Sequence, residues 1–126
     1  MGSVITKGRS QLTQEWMLKT LLDLGFPHQD AEIYVFLALN GSRRAKDLTN
    51  AMKTYKRQVY RTLKRLQNRQ IVTATTSLPA QFSAIPFDKV LDMLIKANME
   101  EANRVERKKD KMLALWKRSV KGNPAI

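Results

Sequence analysis

The chain has 126 residues, room for one compact domain with an extension, and no cysteine, which excludes a disulfide framework, thiolate metal binding and thiol catalysis. Its apolar content of 43% is ordinary for a folded protein, but its formal net charge is +12. No apolar run approaches the roughly 18–20 residues of a membrane span, and Met1-Gly-Ser-Val-Ile-Thr6 lacks the apolar centre of a signal peptide, so a cytoplasmic protein without membrane contact is expected. Those six residues fit the loose myristoylation pattern, and fit a cloning remnant better.

Where the charge sits says more than its total. Residues 1–42 hold 3 basic and 4 acidic groups, 43–69 hold 10 and 1, 70–103 hold 2 and 4, and 104–126 hold 8 and 2. Two basic blocks alternate with two near-neutral ones, the footprint of a polyanion-binding surface on a folded scaffold.

In chain order, residues 1–9 are small and polar and read as a flexible arm whose Lys7 and Arg9 could touch a phosphate. Trp16, Met17, Leu18, Leu21, Leu22 and Leu24 form a broad stripe on a first core helix, stopped by Gly25. Pro27 suits an early position of a second helix, with Ala31, Tyr34, Val35, Ala38 and Leu39 inward and Asn40-Gly41 as its end. A short third helix near Arg44 to Met52 turns Ala45, Leu48 and Met52 inward and gathers Arg43, Arg44 and Lys46 at its start, where cations oppose the helix dipole. An external anion would offset that.

Lys53-Thr54 is a tight turn into the helix around which the chain is organised, residues 55–69. Val59, Leu63, Leu66 and Gln70 follow the 3-4 spacing of a buried stripe, with Tyr55 and Thr62 at its edges. At about 100° per residue, Arg57, Arg61, Lys64 and Asn68 lie opposite that stripe. A solvated helix ordinarily mixes signs, yet Lys56, Arg57, Arg61, Lys64, Arg65 and Arg69 are expected to meet no acid at all. A phosphate backbone beneath that face, with the helix in a major groove, supplies the missing anion.

After Arg69 the period changes from 3.6 to 2: residues 71–76 and 81–85 are β-rich runs around Ser77-Leu-Pro-Ala80, a small two-stranded wing with an uncharged tip. A final helix from about Phe87 to Ser119 would be roughly 50 Å long at 1.5 Å per residue. Val90, Leu91 and Leu94 suit its docking on the core, and Ile95, Asn98, Ala102, Val105, Lys109, Met112 and Trp116 then follow a 3-4 seam. A two-helix coiled coil that makes a homodimer is expected; a single solvated helix is the alternative. Gly122-Asn-Pro124 ends it, leaving a tail at 121–126.

Other chemistry is thinly represented. His28 is the one histidine and cannot build a usual zinc site, so it reads as a surface or capping residue. The carboxylates Asp23, Asp30 and Glu32, and Glu100-Glu101, have no nucleophile or glycine-rich loop beside them, so no enzyme activity and no cofactor is expected. Trp16, Phe26, Tyr34 and Phe82 read as core. Tyr60 flanks the cationic face, where it could donate to a phosphate or pack against the wing.

The order of these elements and several local strings resemble the winged helix-turn-helix domain of the TrmB family of archaeal transcription regulators. Leu24-Gly-Phe26, Ala31-Glu-Ile-Tyr34, Gly41, Asp47-Leu48, Val59-Tyr60, Leu63-Lys-Arg-Leu66, Ile71-Val72 and Phe82-Ser-Ala-Ile-Pro86 carry the resemblance, across about residues 18–95. The chain departs from it at Lys53, where such turns usually carry glycine, at Tyr55, where the family often has proline, and at Arg43 and Arg44, which replace small residues. The wing also lacks the basic residues often found there. One helix stands where many such regulators carry a larger sugar-sensing domain, so sugar binding is not carried over, and no small-molecule effector is evident.

Together these readings predict a mainly α fold with a small two-stranded wing: an arm at 1–9, a winged helix-turn-helix at 10–86, a dimerisation helix at 87–120 and the tail. The expected function is a dimeric, double-stranded DNA-binding transcriptional regulator. Lys56, Arg57, Gln58 and Arg61 are the expected base contacts, since arginine pairs with guanine O6 and N7 and glutamine with adenine. Arg43, Arg44, Lys46, Lys53, Tyr60 and Lys64 are the expected phosphate contacts. The dimer seam is Ile95, Asn98, Ala102, Val105, Met112 and Trp116. A sequence-independent architectural chromatin protein, or a winged-helix module that docks on an acidic protein partner, are the alternatives. Residues 104–121 are read as the solvated face of the dimer helix or as a second DNA-contacting surface.

Overall fold

The computed structural model describes residues 2–121, with side chains for 11–120. Five helices and three short strands follow one another as α1 (Gly2–Asp23), α2 (His28–Asn40), β1 (Arg43–Arg44), α3 (Ala45–Met52), α4 (Lys56–Asn68), β2 (Val72–Ala74), β3 (Gln81–Ala84) and α5 (Phe87–Lys121). By its contacts the chain divides into two units, residues 1–91 and residues 92–126.

In the first unit, packing rather than propensity explains the helices: α2 turns Ala31, Ile33, Tyr34, Val35 and Leu37 into the core, beside Met17 and Leu21 of α1, Leu48 of α3, and Val59, Leu63 and Leu66 of α4. The Tyr34 ring is fully buried and its hydroxyl donates to the Ile85 carbonyl at 2.6 Å, which ties α2 to the segment after β3. Burial, with the Asp88 carboxylate adding to it, pushes the Tyr34 phenol up to about 12.

The strands form one antiparallel sheet in the order β1-β3-β2. Arg43 pairs with Phe82 and Arg44 with Gln81, while Val72, Thr73 and Ala74 pair with Ala84, Ser83 and Phe82. The expected two-stranded wing is therefore a hairpin extended by a third strand, Arg43-Arg44, which runs directly into the third helix with Arg44 as its N-cap. A two-residue strand has no readable period. Its hydrogen bonds come from a partner almost forty positions away.

Other sequence expectations are corrected. Residues 2–9, expected as an arm without regular structure, carry helical backbone continuous with α1; the side chains of Lys7 and Arg9 lie outside the described residues. Trp16 is 59% exposed, not core, and Lys19 sits over its ring at 5.9 Å. On α2, Ile33 and Leu37 take the inward positions expected of Ala38 and Leu39, which are exposed, because the buried arc is centred one residue earlier. Gln70 leaves the α4 stripe altogether: it follows the helix end with φ +62° and is exposed.

The helix ends show how the turns are made. Pro27 is the N-cap of α2, one position earlier than expected, and Gly41 at its C-cap has φ +84° and ψ −175°, a conformation that side chains with a Cβ disfavour. Lys53 caps α3 in the left-handed region, φ 51° and ψ 45°. This is the position that glycine would occupy at low cost.

In the second unit α5 is regular, and Arg104 and Glu101 form an exposed ion pair one turn apart. The helix ending expected at Gly122-Asn-Pro124 and the tail lie outside the described residues.

Candidate nucleic-acid interface

Helix α4 divides by angle into three sectors, each with its own surroundings. Val59, Thr62, Leu63 and Leu66 are buried. Opposite them, Arg57, Arg61, Lys64 and Asn68 are exposed, and among the described residues these three cations make no ion pair or side-chain hydrogen bond. The wing-side edge carries Lys56 and Tyr60, with the Lys56 ammonium 5.7 Å from the Tyr60 ring centre.

The third sector, toward α2, differs from the expectation that every cation of this helix lacks an acid. Arg65 donates to Asp30 at 2.8 Å and to the Thr62 hydroxyl at 3.1 Å, and Asp30 is 1% exposed. The hydrogen bond to Asp30 raises the affinity of the Arg65 guanidinium for its proton. Asp30 also lies in the first turn of α2, where the helix dipole favours a negative charge. Arg69 stacks 5.0 Å from the Phe26 ring centre. These two cations have partners within the fold, and spacing within one helix could not show it, because those partners lie more than thirty residues upstream.

Gln58 stands on that same edge, half-buried, and its amide donates to Gln29 at 2.6 Å. It therefore does not share the outward sector with Arg57 and Arg61. Tyr55 is 83% exposed at the N-cap of α4 with no side-chain cap bond, so the first N–H groups of the helix have no side-chain acceptor there.

The remaining expected contacts surround the start of α3 and the turn. Arg44 and Lys46 are exposed; Arg43 is half-exposed, and its guanidinium donates to the Ser42 carbonyl at 2.8 Å. The Asp47 carboxylate accepts from the Arg44 backbone N–H at 3.3 Å, holding the strand-to-helix corner and supplying the one negative charge at this helix start. Arg44, Lys46, Lys56 and Tyr60 share the wall of a cavity of about 550 Å³ with Leu78, Pro79, Ala80 and Phe82 of the wing. Lys53 is exposed between the two helices. The ten expected contacts thus lie on α4, the turn before it, β1 and the start of α3.

On α5, Ile95, Val105, Met112 and Trp116 are 45%, 49%, 46% and 61% exposed, and Asn98 donates to the Leu94 carbonyl. Spacing missed Met99, Leu113 and Val120, which are also exposed. Eighteen residues make five turns, so Leu113 is in phase with Ile95, which a strict seven-residue repeat does not register. His28 is exposed and bonds Glu32 one turn on at 2.8 Å.

Among the described residues no helix is long and apolar enough to cross a membrane. A search of curated proteins gives no match. Among solved structures, the transcriptional regulator Tm0710 from Thermotoga maritima shares 18% identity and a TM-score of 0.54, over 95% of this chain and 91% of that one. The YusO protein of Bacillus subtilis shares 15% identity and a TM-score of 0.51, over 94% and 89%. A mutant MepR of S. aureus, bound to an oligodeoxyribonucleotide, shares 11% identity and a TM-score of 0.51, over 97% of each chain. At these identities the likeness shows the fold, a winged helix with a long C-terminal helix. The family model described as the sugar-specific transcriptional regulator TrmB matches residues 21–88, more than half of the chain and the stretch from α1 to the start of α5. The protein belongs to the TrmB family of transcriptional regulators.

Proposed function

We propose that this regulator works as a homodimer on double-stranded DNA, with α4 of each protomer in a major groove. The observation that carries the reading is the outward sector of α4: Arg57, Arg61 and Lys64 are exposed and without a counter-ion among the described residues, whereas Arg65 and Arg69, on the same helix, are partly solvated but engaged by Asp30 and by the Phe26 ring. Packing accounts for two of the cations and leaves the others for an external anion. Arg57 and Arg61, in the first two turns, face base edges. Lys56 stands at the edge between base and backbone contact. Gln58 reads a base only when it leaves Gln29.

Arg43, Arg44, Lys46, Lys53, Tyr60 and Lys64 hold phosphates and fix the register without reading sequence. The exposed apolar residues of α5 are the surface through which two copies join, with Ala102 and Asn98 where the helices approach; two recognition helices would then enter successive grooves about 34 Å apart. Substituting Arg57 or Arg61 with alanine is expected to relax base preference at one position per half-site, by roughly 1–3 kcal/mol. Alanine variants that rank all sequences as the wild type does would contradict the assignment. Should the wild type itself bind every duplex alike at physiological salt, the architectural chromatin reading takes its place.

A further inference from the structure

Between Gln70 and Pro86 the chain carries no charged residue, although its net charge is +12. The tip of this segment is built to hold its shape. The Thr75 N–H donates to the Gln81 carbonyl at 2.9 Å, the Gln81 N–H to the Thr75 hydroxyl at 2.9 Å, and the Ser77 hydroxyl to the same oxygen at 3.2 Å. On this braced turn Leu78 is 93% exposed and Pro79 is exposed beside it, so the leucine contributes nothing to the core. Its position is not neutral with respect to the cationic face, because Leu78 and Pro79 form one wall of the cavity whose other wall includes Arg44, Lys46 and Lys56.

We infer that Leu78, backed by Pro79, is an apolar wedge that enters the minor groove of the duplex held by α4, and partly unstacks a base step there. The inference rests on the DNA-binding reading above. With α4 in the major groove, the element beyond the neighbouring phosphate backbone meets the minor groove, which at about 6 Å wide admits a hairpin tip and no helix. A wing that gripped phosphates would carry cations; this one presents a leucine and a proline, side chains suited to sugar edges and to insertion between bases. The unstacking bends the duplex, so flexible pyrimidine–purine steps become preferred at a position α4 never touches.

The test is energy transfer between dyes at the two ends of a short duplex, read on binding of the full chain and of Leu78→Ala, with affinities taken across a salt series. Because Leu78 lies outside the core, the variant folds as the wild type does, which circular dichroism checks. The expected result is a shortened end-to-end distance in the wild-type complex that Leu78→Ala loses, with affinity reduced roughly ten-fold at every salt concentration and the salt slope unchanged, since no phosphate contact is removed. A wild-type complex that leaves the duplex straight, or a variant that bends it equally, overturns the wedge. Failure of the wild type to bind any duplex overturns the DNA-binding reading as well. Binding without bending removes the wedge alone.

Discussion

Arg65 is the residue that separates a structural cation from the outward ones on α4. Its guanidinium closes on a carboxylate that is 1% exposed, so removing it strands a buried charge. Arg65→Ala is expected to lower the unfolding free energy by roughly 3 kcal/mol, the lower end of the range for breaking such a pair because Arg65 itself is partly solvated. Urea unfolding measures this. Its neighbour Arg61, exposed and without an ion pair among the described residues, should cost less than about 0.5 kcal/mol when changed to alanine. Equal losses at the two positions would show that the division between them is wrong.

Tyr34 supplies a pH signature. Its phenol, ordinarily near 10, is pushed up to about 12 by burial, so the folded state holds the proton more tightly than the unfolded state. Stability from this group is fully present below pH 10 and is lost as the pH rises toward 12. The unfolding free energy should therefore fall across that interval by more in the wild type than in Tyr34→Phe, by as much as about 1.4 kcal/mol per pH unit. Equal slopes in urea titrations at pH 9.5 and 11.5 would contradict it. Tyr34→Phe also leaves the Ile85 carbonyl without its donor, so the variant starts from a lower stability.

At the scale of elements, the turn between α3 and α4 sets a stability cost against a contact. Lys53 occupies the left-handed region, which costs a residue with a Cβ roughly 1–2 kcal/mol. Lys53→Gly should stabilise the fold by about 0.5–1 kcal/mol, the relief being partly offset by the freedom glycine gains when unfolded. If Lys53 holds a phosphate, the same substitution lowers DNA affinity and reduces the salt slope by about one. A glycine variant that is stabler and binds as tightly as the wild type would remove Lys53 from the interface.

Much of this architecture was legible in the chain, for reasons that can be named. Val59, Leu63 and Leu66 recur at helical spacing and are buried, Gly41 marks the end of α2 as glycine should, and the shift to alternation after Arg69 marks the hairpin. What was hidden depends on distant partners. Asp30 and Gln29 lie on α2, and nothing near Arg65 or Gln58 in sequence announces them. Strand β1 is two residues long and is defined by Phe82 and Gln81. Trp16 has the chemistry of a core residue, but its position on α1 faces outward while Met17 and Leu21 fill the core.

At the scale of the molecule, the alternation of basic and near-neutral blocks follows the fold. The block at 43–69 comprises β1, α3, the turn and α4, and most of its cations are exposed; the neutral block that follows contains the wing. The second basic block lies on α5 over its described part, 104–121, where it is interleaved with exposed apolar residues. In the dimer proposed above, these exposed apolar residues would meet those of a second copy and set the spacing of the two α4 helices.

The most direct test of the account is duplex binding by the full chain across a salt series, with random-sequence fragments selected over several rounds. It predicts a steep fall of log affinity with log salt, from the many phosphate contacts of two protomers, together with an enriched palindrome whose half-sites are one helical turn apart. Weak binding at every salt concentration, or strong binding with no enriched motif, would contradict a dimer that reads sequence through Arg57 and Arg61.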